Sequence, residues 1–211
     1  MQVNITFEGK KSIEAIQKEF QGQLSEKQIL KTTAYAINET AKRVVSRSKK
    51  EIKQEYTVNN KYLNRIHRIK KASGTTSGLY AEIYFSGKPI PMIGFKYKDK
   101  SKKGGKRLKS GGVIVEIFKG KQQLLKHAFI ATMKSGHTGI FGNGSYIEGK
   151  FVHSKERTAS HKSRITEYKS PSPYSMERNK GIKERNFAYI ETTLPSRTRA
   201  LLQNKLNKLT K

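Results

Sequence analysis

The sequence predicts an α+β fold, with a long basic N-terminal helix and a C-terminal helix packed on a small, curved, mostly antiparallel sheet or barrel. Three observations predict it. One apolar stripe at helical spacing runs from about Glu26 to Glu55. Short strand-like segments follow between 79 and 170, and helical spacing returns in "IETTLPSRTRALLQNKLNKL".

Taken in order, "QVNITFEG" alternates Val3, Ile5 and Phe7, the period of a half-buried strand, and "KSIEAIQKEFQ" then places Ile13, Ile16 and Phe20 at helical spacing. Ser25 is the expected N-cap of the long helix, about 43 Å at 1.5 Å per residue. Its stripe is Ile29, Leu30, Thr33, Ile37, Ala41, Val44, Val45, Ser48 and Ile52, while Lys42, Arg43, Arg47 and Lys50 stand on other faces. "TVNNKYLNRIHRIK" reads as a turn, a short helix capped near Asn59, and entry into a strand. Tyr62, Leu63 and Ile66 have the spacing of a packed face, which argues against a helix that reads bases.

The clearest strand is "GLYAEIYFSG", with Leu79, Ala81, Ile83 and Phe85 on one face. "PMIGFKY", "GGVIVEIFKG" with Val113, Val115 and Ile117 inward, a buried "AFIATM" and a shorter "SRITEYKS" complete the sheet. Residues 98–112 and 142–162 read as flexible basic loops; the first holds Lys98, Lys100, Lys102, Lys103, Lys106, Arg107 and Lys109 against the lone Asp99. Chain 1–211 is thus expected as a single domain: strand and short helix over 1–24, helical arm over 26–73, sheet over 79–170, and a helical segment over 174–211 in which Pro195 breaks or restarts the helix.

Charge dominates the composition. Lys and Arg number 44 against 16 Asp and Glu, a net charge of +28. Self-repulsion on that scale calls for an anionic partner, nucleic acid first and an acidic protein surface or anionic membrane next. The lysine loop carries no interleaved aromatic residue, so it suits phosphates rather than stacked bases. With no apolar run near the ~20 residues a membrane span needs, and no basic-then-apolar start, a soluble protein made in the cytoplasm is expected.

Catalysis lacks parts. There is no cysteine, Asp99 is the sole aspartate, and none of the five histidines shares a helical i,i+4 metal motif. Glu148-Gly149-Lys150 has the E-x-K form without a companion aspartate on a preceding strand, and no phosphate-cradling or nucleophile-elbow motif occurs. No enzyme activity, metal or cofactor is expected. His137, between Gly136 and Gly139, reads as a structural turn residue closing a hairpin that returns Ile140 and Phe141 to the core, its imidazole bonding within the turn.

Three blocks carry a family resemblance. "HAFIATMKSGHTGIF", the basic helical stretch over 34–73, and "ITEYKSPSPYSM" before a final helix together resemble the minor tail protein Z family, the tail completion proteins of long-tailed phages and prophages. Gly142-Asn143 after Phe141, and Ser170 before Pro171-Ser172, depart from its pattern. The resemblance implies a virion component at the head-proximal end of the tail, made in the bacterial host. Its implied partners are the tail tube or tail terminator, neck proteins and the double-stranded DNA end, in a homo-oligomeric ring of guessed six-fold symmetry. A free, sequence-nonspecific nucleic-acid-binding protein is the alternative that charge and size alone would satisfy.

Overall fold

The computed structural model describes residues 10–64, 67–103, 106–107, 111–147, 150–153 and 165–210. The strand expected at the N-terminus, together with Ile66, Lys109, Glu148-Gly149 and residues 154–162 of the second loop, lies outside them. Helices and antiparallel ladders make an α+β fold, and among the described residues the sheets are open, with no closed barrel. Contacts gather the chain into two units, one of Met1–Ile52, Ile66–Gly87 and Tyr174–Lys211, the other of Lys53–Arg65 and Lys88–Pro173.

The first unit is helical. Helix α1 (Lys10–Glu19) leads into α2 (Glu26–Glu55), whose N-terminus is fixed by a reciprocal cap. The Gln28 amide donates to Ser25 Oγ at 3.4 Å while the Ser25 amide donates to Gln28 Oε1 at 3.0 Å. Ser25→Ala is therefore expected to cost about 1 kcal/mol, read as a lower thermal unfolding midpoint. From α2, Ile29, Ala41, Val44, Val45, Ser48 and Ile52 are buried, and Ile16, Phe20, Leu24, Ile29 and Leu202 form one apolar cluster. Strands β1 (His67–Lys70) and β2 (Glu82–Phe85) pair antiparallel with Ile69 opposite Ile83. The Asn38 side chain holds both backbone groups of Ala72, at 2.8 and 3.0 Å. The expected strand from Leu79 is shorter than its pattern, because a 3₁₀ turn over Thr76–Gly78 precedes it.

Helix α4 (Pro173–Arg178) starts with proline at its first position, where the missing N–H costs nothing. The final helix, α5 (Ile182–Asn207), passes unbroken through Pro195, contrary to the break the sequence suggests. Hydroxyls on either side of the proline bond to carbonyls that precede it: Ser196 Oγ donates to Thr193 O at 3.0 Å and Thr192 Oγ1 to Ala188 O at 3.1 Å. Buried Ile190, Leu194, Thr198 and Leu202 then hold both halves on one packed stripe.

In the second unit, α3 (Asn60–Leu63) is capped by Asn59, whose side chain accepts from the Lys61 amide at 2.9 Å. "PMIGFKY" is not one strand. Met92–Gly94 is a 3₁₀ turn, with Gly94 so close to Tyr62 that a Cβ would lie 2.8 Å from the ring, and β3 (Lys96–Asp99) begins after it. Strands β4 (Lys102–Lys103) and β5 (Lys106–Arg107) form a small ladder of their own. β6 (Gly112–Glu116) lies between β3 and β7 (Gln122–Lys126), with Val113 and Val115 buried; Ile117 falls outside the strand and is only half-buried. β8 (Phe129–Thr132) is half-exposed rather than buried. It pairs with β9 (Thr138–Ile147), which also pairs with β10 (Lys150–His153) and β11 (Ile165–Glu167). The second basic loop is thus overturned over 142–147 and 150–153, which are strand. Phe151 stacks on Tyr168 at 4.2 Å, and Gly142 leaves room for both rings.

Candidate nucleic-acid interface

The first basic loop is built, not free. Asp99 Oδ1 accepts from the Ser101 amide at 2.8 Å and from Ser101 Oγ at 2.6 Å, so the chain's sole aspartate is spent on a turn. The Lys100 amide donates to Gly112 O at 2.9 Å and closes the neck. Beyond it, Lys102 stands opposite Arg107 and Lys103 opposite Lys106. Like charges directly across a ladder are destabilising, so an anion seated there would stabilise the hairpin. Over residues 98–103 and 106–107 this replaces the flexible extended loop expected from composition. Lys98, Lys100, Lys102 and Lys106 are exposed; Lys103 and Arg107 are described by backbone placement only.

On α2 the expected cations divide. Arg43 and Lys50 are exposed. Lys42 pairs with Glu39 at 2.9 Å, and that hydrogen bond, helped by the nearby charges of Lys42, Arg197 and Arg43, holds the Glu39 carboxyl below its ordinary range. Arg47 is committed to the fold: it pairs with Glu51 at 2.9 Å and lies over the Tyr189 ring, 5.2 Å from its centroid. Arg185 takes the other Glu51 oxygen at 2.8 Å.

The hairpin at Met133–His137 turns through Gly136 at φ 80°, and the Met133 amide donates to His137 O at 2.8 Å. The His137 ring does not bond within the turn. Its Nε2 meets Glu167 Oε1 of β11 at 2.9 Å, and a side chain at Gly139 would collide with that carboxylate. Gly139 therefore serves close approach rather than turn curvature.

Sequence reasoning missed a buried cluster in the first unit. Asn186 Nδ2 donates to Ser48 Oγ at 2.7 Å and to Glu177 Oε1 at 3.2 Å, with all three residues buried. Glu177 Oε2 and Asn186 Oδ1 have no partner among the described residues. Burial pushes the Glu177 carboxyl above its ordinary range. No signal in the sequence joins these positions, since they come from α2, α4 and α5. Among the described residues no group of three or more acidic or histidine side chains converges as a metal site, and no helix is long and apolar enough to cross a membrane.

A family model described as prophage minor tail protein Z matches residues 11–211, nearly the whole chain. No curated protein and no solved structure matches it.

Proposed function

Because the chain belongs to the prophage minor tail protein Z family, we propose that it completes the tail at its head-proximal end, joining tail to head and surrounding or holding the DNA end. Membership itself makes it a structural component of a phage tail, with tail proteins as partners. The observation that supports the finer reading is the β4–β5 ladder, whose register sets cation opposite cation. Such a hairpin favours polyphosphate by charge alone and reads no bases.

In this reading, copies form a ring whose symmetry multiplies each hairpin around one channel, and Arg43 and Lys50 add a second basic surface. The tail tube or terminator and the neck proteins adjoin the ring. The role is structural rather than catalytic. A tag placed after Lys211 and imaged on purified particles by electron microscopy is expected at the tail's head-proximal end. Label missing from particles, with the protein following cellular nucleic acid instead, would leave a free nucleic-acid binder in its place.

A further inference from the structure

The β3–β6–β7 sheet has two unlike faces. On one side the central strand's Val113 and Val115 are covered, at 0% and 1% exposed, while Tyr97 beside Val115 is 42% exposed. Alternation sends their neighbours to the other side. There the cross-strand register sets Lys98, Ile114 and Leu124 in one row. Lys96, Glu116 and Gln122 make the row on one flank. On the other, Gly112 lies between Lys126 and the backbone of Lys100.

An open face of an antiparallel sheet is ordinarily polar. Here the middle row sets half-buried Ile114 beside Leu124, which is 47% exposed, with Lys98 at its other end. Lys96, Lys98 and Lys126 around it are all exposed. The one carboxylate, Glu116, is already taken: the Gly120 amide donates to it at 3.0 Å and Lys96 Nζ lies 3.1 Å away. The face therefore offers an apolar centre with a cationic rim. Phosphate alone makes no use of an exposed leucine, whereas a protein surface buries it and answers the rim with carboxylates.

We propose that this outer face docks an acidic protein surface carrying an apolar side chain, on a neighbouring tail subunit, and that it is separate from the DNA-facing hairpin. The proposal rests on the tail reading above. It assigns Lys98 to a protein partner, adds Lys96, Lys126 and Leu124, and leaves Lys102 and Lys106 to DNA.

The test uses the full-length chain, tails purified from particles assembled without it, and random-sequence duplex DNA. Tail binding is read by co-sedimentation and DNA binding by fluorescence anisotropy. Leu124→Ser is expected to weaken tail binding by roughly tenfold while leaving duplex affinity unchanged. Leu124→Met should restore tail binding, and Lys98→Glu with Lys126→Glu should abolish it. An unchanged thermal midpoint for Leu124→Ser separates lost docking from lost folding, and a variant that unfolds is replaced by Leu124→Gln. If Leu124→Ser binds tails like wild type while the charge reversals weaken only DNA binding, the face is a phosphate contact and the proposal fails. If wild type itself ignores the tails, the tail reading fails and takes this one with it.

Discussion

Particles carrying Lys102→Ser, Lys103→Ser, Lys106→Ser and Arg107→Ser together are expected to lose infectivity or leak DNA, while the protein itself stays folded. The four residues face each other in like-charged pairs, so their removal relieves repulsion within the β4–β5 ladder. The purified variant should unfold at the same temperature as wild type or slightly above it. What it loses is the response to phosphate. Four phosphate contacts correspond to a change in affinity on the order of a hundredfold over a fourfold range of salt. In the proposed ring each copy's hairpin would add to the same bound DNA and compound that figure. Fully infectious particles from this variant would overturn the DNA-facing role of the hairpin.

The second large effect is expected in the helical unit. Glu177 is buried with its carboxyl raised above the ordinary range, so the folded state keeps a proton that the unfolded chain has already lost above about pH 4.3. Its contribution is complete below that pH and is lost as pH rises through the folded value. The slope reaches about 1.4 kcal/mol per pH unit at most. Glu39, Glu82 and Glu116 are lowered and act in the opposite sense, losing their contribution as pH falls. Glu177→Gln isolates the one slope. The amide side chain brings no charge into the buried site and its oxygen can still accept from Asn186 Nδ2. The variant should be more stable than wild type at neutral pH, by about 1–3 kcal/mol, with the advantage vanishing in acid. Equal midpoints across the pH range would show that Glu177 is already satisfied as an anion.

How far the sequence alone foretells these features depends on how local their causes are. Helix α2 is legible to the residue because Ser25 caps it and its stripe is continuous. The hairpin returning Ile140 and Phe141 is legible from Gly136 and the apolar residues that follow, and both residues are buried, whereas the reason for Gly139 lies across the sheet at Glu167. Composition misleads where backbone bonds outweigh it. Lys and Gly over 98–112 look like loop, yet Asp99 and the Lys100–Gly112 contact tie the neck of a hairpin. Gly142, Asn143 and Gly144 look like loop as well, yet the absence of a side chain at Gly142 and Gly144 is what the Phe151–Tyr168 stack requires of β9. Pro195 misleads for the converse reason, since packing on one stripe outweighs a local defect. The division of the α2 cations was legible only in part. Glu51 stands four residues after Arg47, a helical pairing the sequence shows, whereas Tyr189 and Arg185 come from α5.

The ten residues of β9 have three successive partners. Thr138–Phe141 are laced to β8, Phe141–Asn143 to β11, and Gly144–Ile147 to β10. Phe141 belongs to two ladders at once, one on each edge. In mechanical terms this is a spliced joint. A pull applied through any one neighbour loads hydrogen bonds in shear along the strand and passes to the next splice before the first can peel. A structural component of a tail gains from such a joint what a larger core would not supply, because the core resists melting and the splice resists force.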